Sequence, residues 1–96
     1  MHAAALRLEI RIPGARSLKD KRRTLKALMA KLAGTLPVVV SEIGFQDQWQ
    51  RSTLGAALVA PQAGHLERVI NSVQRAVLGF DGVELLEVGV AYMEEP

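Results

Sequence analysis

The chain of 96 residues is 49% hydrophobic and 23% charged, a composition that excludes a disordered polypeptide and, at this length, predicts a single domain over residues 1–96. It contains no cysteine, which excludes disulfides, thiolate zinc sites and thiol nucleophiles and fits a cytoplasmic protein. The net charge is +2, but residues 1–48 carry nine Lys/Arg against four Asp/Glu, whereas residues 49–96 carry three against six.

The chain is predicted to begin with a strand and a helix. Residues 4–12 alternate between apolar and polar side chains, the period of a strand with one buried face, and Pro13 follows them as a breaker. Ser17 and, three residues later, Asp20 predict a variant capping box, and Gly34 is expected to end the helix. The residues expected on the buried side of this helix are Leu18, Leu25, Leu28, Met29 and Leu32.

Two strands are predicted next. Residues 37–45 form the first of them, and the proline that opens this segment favours a position at the edge of the sheet. After a polar connection, residues 51–60 predict a third strand with Leu54 and Leu58 pointing into the core.

A second helix and a last strand complete the chain. Pro61 is predicted to lie in the first turn of the helix, and Gly79 is predicted to end it. The strand covers residues 83–92. The residues expected on the buried side of the helix are Leu66, Val69, Ile70, Val73 and Val77. Those expected on one side of the strand are Leu86, Val88, Val90 and Tyr92.

The order βαββαβ predicts the α+β class and a ferredoxin-like arrangement, a four-stranded antiparallel sheet with two helices on one face. The other face of the sheet then has no helix to cover it. The residues expected there are Arg7, Glu9, Arg11, Thr53, Gly55, Ala57, Glu87, Gly89 and Ala91. Because many of these are small, the face suits a second subunit or a ligand, although a solvated face explains it as well.

Six of the eleven residues from 16 to 26 are basic, and they lie where the first helix begins. Cations are unfavourable at that end of the helix dipole, so the cluster indicates an anionic partner. The candidate residues are Arg16, Lys19, Lys21, Arg22, Arg23 and Lys26. Lys21 falls within the buried stripe and Arg22 near it, so their stems are expected to pack while their charged ends reach solvent. A solvated basic face and a contact with an acidic protein remain alternatives.

The polar connection at residues 46–51 is the second candidate. Its tryptophan, Trp49, suits stacking on a base, and it equally suits capping the core or anchoring a dimer. Asp47 and Arg51 are expected to pair across the hairpin. The secondary contact candidates are Trp49, Arg51, Arg7 and Arg11.

The sequence lacks the residues that several functions of ferredoxin-like domains require. A metal chaperone needs cysteines, an RNA-recognition motif needs aromatic residues on its central strands, and an acylphosphatase needs an asparagine on its third strand. The two histidines, His2 and His65, stand apart from any nucleophile. We therefore predict no catalytic residue, no metal site and no cofactor. No apolar run approaches the ~18–20 residues of a membrane span, and the first residues do not form a signal peptide.

Three segments of the sequence are specific in combination. They are LRLE at residues 6–9, SLKDKRR at residues 17–23 and QDQWQR at residues 46–51. Together they resemble the YlxP-like family, small bacterial proteins classed as a domain of unknown function. The resemblance implies a ferredoxin-like fold. It also implies a connection with RNA or the ribosome, because genes of this family often lie among genes for translation initiation and ribosome maturation.

Three hypotheses follow. The first is a non-enzymatic cytoplasmic module that contacts RNA or a ribonucleoprotein through the basic helix. The second is a homodimeric interaction protein that uses the open sheet face or an edge strand. The third is a protein or enzyme that binds a small anion such as phosphate in the loop Pro13–Ser17. No membrane partner is expected.

Overall fold

The computed structural model describes all of residues 1–96, in which six elements follow one another in the predicted order. They are β1 (His2–Arg11), α1 (Leu18–Thr35), β2 (Val39–Gly44), β3 (Arg51–Ala60), α2 (Ala63–Leu78) and β4 (Glu84–Glu94). The strands form one antiparallel sheet in the order β2-β3-β1-β4, and the helices cover one face of it. The predicted ferredoxin-like fold is confirmed, as is the edge position of β2.

Strict alternation along the two central strands decides which face carries the core. Even-numbered residues of β1 and β3 point towards the helices, and Leu8, Ile10 and Leu54 among them have no exposed surface. Twenty buried residues form one continuous cluster that includes the predicted apolar side of α2. Each fully buried aliphatic side chain of this kind contributes about 1.5–3 kcal/mol to the free energy of unfolding. Burial on this side of the sheet is therefore the main source of stability.

The start of α1 has the predicted cap, but its end differs from the prediction. The Ser17 hydroxyl accepts a hydrogen bond from the backbone N–H of Asp20 at 3.1 Å, and the Asp20 carboxylate accepts one from the N–H of Arg16 at 3.1 Å. The prediction that Gly34 ends the helix is wrong, because α1 continues to Thr35. The stop is the proline that follows the extended cap residue Leu36, since a residue before proline disfavours helical geometry.

Two further local predictions are corrected. Pro61 lies before α2 and not in its first turn, since the helix begins at Ala63. In β4 a bulge sets Glu87 opposite Glu9 and Leu85 opposite Ile10. The bulge inserts one residue, so Leu85 packs against the core and Leu86 is left 46% exposed, against the predicted alternation.

Tyr92 joins the far end of β4 to α2, because its hydroxyl donates a hydrogen bond to Glu67 Oε1 at 2.8 Å. This bond, followed by desolvation and the charge of the carboxylate, raises the pKa of Tyr92 above its usual 10.0. The folded chain thus favours the neutral phenol. The stability that results is present below pH 10.0 and is lost as the pH rises through the folded-state pKa.

Titration of the phenol tests this contact. Tyr92 is the only tyrosine, so the ultraviolet absorbance of phenolate reports on it alone. We expect a midpoint above 10.0 in the native chain and a return towards 10.0 in Glu67→Ala. A midpoint that Glu67→Ala leaves unchanged would contradict the role of the carboxylate.

Candidate functional site

Five of the six basic candidates form an exposed strip at the start of α1. We call Arg16, Lys19, Arg22, Arg23 and Lys26 the basic stripe; all five are exposed. Within the helix they follow the spacing i, i+3, i+4 and i+7, which brings side chains to one side of a helix. The buried residues of α1, with Leu25 and Leu28 among them, lie on the opposite side. The stripe therefore faces away from the core.

Lys21 does not belong to this surface, and the prediction that its charged end reaches solvent is wrong. Its side chain is 1% exposed, and its ammonium lies 3.0 Å from Glu42 Oε2 and donates to the carbonyl of Phe45 at 2.5 Å. Glu42 points from β2 towards the helices, where the buried Ser52 also donates to it at 2.7 Å. The Lys21 charge is thus neutralised inside the fold and is not available to a ligand.

The contacts of Lys21 and Gln50 bring the two candidate segments together. The Lys21 ammonium donates hydrogen bonds to the carbonyls of Phe45 and Gln46, at the beginning of the β2–β3 connection. At the end of the connection, the side chain of Gln50 donates to the carbonyls of Pro13 and Ala15 at 3.2 and 3.1 Å. The connection is therefore fastened to the start of α1 at both of its ends, and it carries the half-exposed Trp49.

The secondary arginines lie on the open sheet face and have acidic neighbours. Arg11 donates to Glu84 Oε2 from two nitrogens at 3.1 and 2.8 Å. Arg7 and Arg51 each lie 4.0 Å from the Glu9 carboxylate. Because each of these arginines has a carboxylate beside it, they attract an anion less than the basic stripe does.

Arg51 stacks on an aromatic ring that the sequence analysis did not identify. Its guanidinium lies 4.6 Å from the centre of the Phe45 ring, and this ring is 41% exposed. The predicted pair of Asp47 with Arg51 is wrong, since the acidic neighbour of Arg51 is Glu9. Phe45 has a φ of 56°, which turns the chain at the end of β2 and breaks the alternation from which its orientation would have been predicted.

The loop Pro13–Ser17, the third hypothesis, has few donors to offer an anion. The N–H of Ala15 donates to the carbonyl of Ile12 at 3.1 Å, and the N–H of Arg16 donates to the Asp20 carboxylate. A carboxylate therefore already occupies the helix start, where a phosphate would have to bind. The exposed positive charge of this region lies instead on the outer side of α1.

Neither helix is long and apolar enough to cross a membrane. No group of three or more His, Asp or Glu side chains is arranged to hold a metal ion.

Comparisons with known proteins identify a family and a fold. The family model described as "Protein of unknown function (DUF503)" matches residues 3–90. The uncharacterized protein YlxP of Bacillus subtilis (strain 168) is 36% identical over 68 residues, which are 71% of this chain and 74% of YlxP. Both agree with the resemblance that the three sequence segments carry.

Two solved structures share the architecture. The de novo designed protein Foldit4 superposes with a TM-score of 0.53 at 14% identity, over 98% of this chain and 99% of the design. A C-terminal segment of the alpha subunit of aIF2 from Pyrococcus abyssi gives a TM-score of 0.51 at 15% identity, over 98% of this chain and 52% of that chain. At these identities the likeness shows the fold alone.

Proposed function

The chain belongs to the DUF503 family of proteins of unknown function, and we propose that it is a non-enzymatic module that contacts RNA, free or within a ribonucleoprotein, through the basic stripe. One observation carries the proposal. All five cations of the stripe are exposed, and Arg23 alone has an acidic side chain within 4.0 Å, with Asp20 Oδ1 at 3.9 Å. This charge is therefore available to phosphates.

The position of the charge supports a role in binding. Asp20 is the only acid in the first turn of α1, and its carboxylate is engaged in the cap. The four helical cations of the basic stripe, from Lys19 to Lys26, then extend over ~10 Å of the helix axis. Cations oppose the helix dipole at this end, so folding stability alone does not favour them. Attraction to an external anion with several negative charges along one line offsets this unfavourable interaction with the helix dipole.

Trp49 supports a single strand as the form of RNA. Its side chain is 52% exposed, and the neighbouring Gln50 donates to the carbonyls of Pro13 and Ala15, just before Arg16 in the chain. An exposed indole next to cations is the usual combination for single-stranded nucleic acid, in which bases stack on the ring while phosphates meet Lys and Arg. Double-stranded RNA keeps its bases stacked on one another and would leave this ring unused. The resemblance to the YlxP-like family, with its implied ribosome connection, favours RNA over other polyanions.

Binding of a short labelled oligouridylate at increasing salt concentrations tests the proposal. We expect the logarithm of the association constant to fall linearly with the logarithm of the salt concentration. The slope should be about −3.5, because each of the five cations of the basic stripe neutralises one phosphate and each contributes ~0.7 on a single strand. Trp49 is the only tryptophan, so quenching of its emission reports stacking separately. An association that is absent at ~50 mM salt, or that does not depend on salt, would refute the proposal.

A further inference from the structure

The sheet face that no helix covers exposes a set of large apolar side chains. Val39 is 75% exposed, Val59 65%, Met93 53% and Ile43 51%. The pairing of the strands puts all four on the side opposite to the core. Single exposed apolar residues are ordinary, but several large apolar side chains exposed together on one sheet face indicate that another surface covers them.

The face is a shallow groove. Val39 and Ile43 form its wall on β2, and the groove has a volume of about 570 Å³. Apart from Arg7, the residues of its floor that point outwards are small, namely Ala5, Gly55, Ala57, Gly89 and Ala91. A Cβ atom added at Gly55 would lie 3.3 Å from the Ile43 side chain, so Ile43 already rests against the glycine.

We propose that this face binds a second copy of the chain, sheet against sheet, about a two-fold axis parallel to the strands. Such a rotation places β2 over β4 of the second copy and β3 over its β1, because the strand order is β2-β3-β1-β4. Val39, Ala57, Ala5 and Ala91 lie in one row across the sheet. Val39 of each copy then meets Ala91 of the other, a tall side chain over a short one.

The neighbouring row has the same complementarity. Ser41, Gly55, Arg7 and Gly89 lie side by side across the four strands. The same rotation puts Arg7 of each copy over Gly55 of the other, where no side chain stands in its way. Tall residues of one copy therefore lie over short residues of the other in both rows, as an interface between identical faces requires.

The charges of the face are suited to burial against a neutral surface. The Glu9 carboxylate accepts a hydrogen bond from the buried Thr53 hydroxyl and has Arg7 and Arg51 at 4.0 Å. Glu87 lies opposite Glu9 on the same face, so two acids stand against Arg7 and Arg51, and covering the four groups buries no net charge. A polyanion would have to compete with Glu9 here, so this face and the basic stripe suit different partners.

The size of the face favours a partner that is itself a sheet. Strands of about ten residues are ~33 Å long, and four strands ~4.8 Å apart give a footprint of roughly 500–600 Å². A stable interface buries about 600–1,000 Å² on each partner, so nearly the whole face has to be covered. A second copy has the required dimensions, whereas a short peptide along one strand edge does not.

Sedimentation equilibrium of three variants tests the dimer. Val59→Arg introduces a charge into the face, and Leu78→Arg is the matched control, because Leu78 is also 65% exposed but lies on α2. We expect the wild type to have twice the 10.4 kDa mass of one chain. Val59→Arg and, independently, Val39→Arg should raise the dimer dissociation constant on the order of 30-fold or more, and Leu78→Arg should leave it unchanged.

Far-UV circular dichroism identifies any variant that fails to fold, and the remaining face variant then decides. A wild type that stays monomeric at ~100 μM overturns the proposal, since a standard interface associates well below that concentration. A dimer that Leu78→Arg weakens as much as the face variants do would assign the interface to the helices and also overturns it. A dimer that neither Val59→Arg nor Val39→Arg weakens likewise overturns the proposal.

Discussion

Lys21→Ala is expected to lower the free energy of unfolding by about 3 kcal/mol, the lower end of the range for breaking a buried ion pair. The substitution leaves the Glu42 carboxylate without its counter-charge and the Phe45 carbonyl without its closest donor. The lower end applies because Glu42 keeps the Ser52 hydroxyl and is itself 23% exposed. Urea denaturation followed by circular dichroism measures the loss.

Lys19→Ala is the matched control for this prediction. It removes the same side chain two residues earlier, from a position that is exposed and has no acid within 4.0 Å. Its effect should stay within about 0.5 kcal/mol, with a tendency to stabilise, because it removes a cation from the positive end of the helix dipole. Lys21→Ala that costs no more than Lys19→Ala would contradict the buried pair.

A double substitution separates the charges from the packing. Replacing both Lys21 and Glu42 with Met keeps the side-chain volume and removes both charges. Such exchanges are often neutral, so the double variant should recover most of the stability that Lys21→Ala loses. If the double variant is as unstable as Lys21→Ala, the loss comes from the hydrogen bonds to Phe45 and Ser52 and not from the isolated charge of Glu42.

The sequence predicted those features that depend on neighbouring residues. The alternation in β1 identified its buried side, and Ser17 with Asp20 identified the start of α1, because strand period and capping are local properties. Lys21 shows where local reasoning ends. Its place in the buried stripe was apparent, but its partner Glu42 is 21 residues away and reaches it only through the packing of α1 on β2. The sequence feature that could have identified this pair is Glu42 itself, an acid at a position of β2 that points towards the core.

The candidate surface was likewise predictable only in part. The basic stripe was predictable because helical spacing fixes which side chains share a face. The attachment of the connection that carries Trp49 to the start of α1 was not predictable, since it depends on Gln50 bonding to the carbonyls of Pro13 and Ala15. Phe45 was missed because a positive φ ends the alternation of β2. Side-chain bonds to distant carbonyls and single turned residues leave no periodic pattern in a sequence.

Replacing Lys19, Arg23 and Lys26 together with Ala is expected to weaken RNA binding by about 100-fold at ~0.1 M salt, since each lost phosphate contact removes a factor of ~5 there. The slope of log association constant against log salt should become shallower by about 2, from three contacts of ~0.7 each. The same labelled oligouridylate measures both quantities. The fold should persist, because all three side chains are exposed and only Arg23 has an acidic neighbour, at 3.9 Å.

The decisive control changes the net charge equally at other places. Replacing Lys31, Arg68 and Arg75 with Ala also lowers the net charge from +2 to −1, and these residues lie outside the basic stripe. If position matters, this variant keeps the wild-type slope and loses affinity only by the weak, screened effect of distant charge. Equal losses in both variants would mean that RNA responds to net charge alone, and the assignment of the stripe would then be wrong. A difference in slope between two chains of identical net charge is a result that only localised phosphate contacts explain.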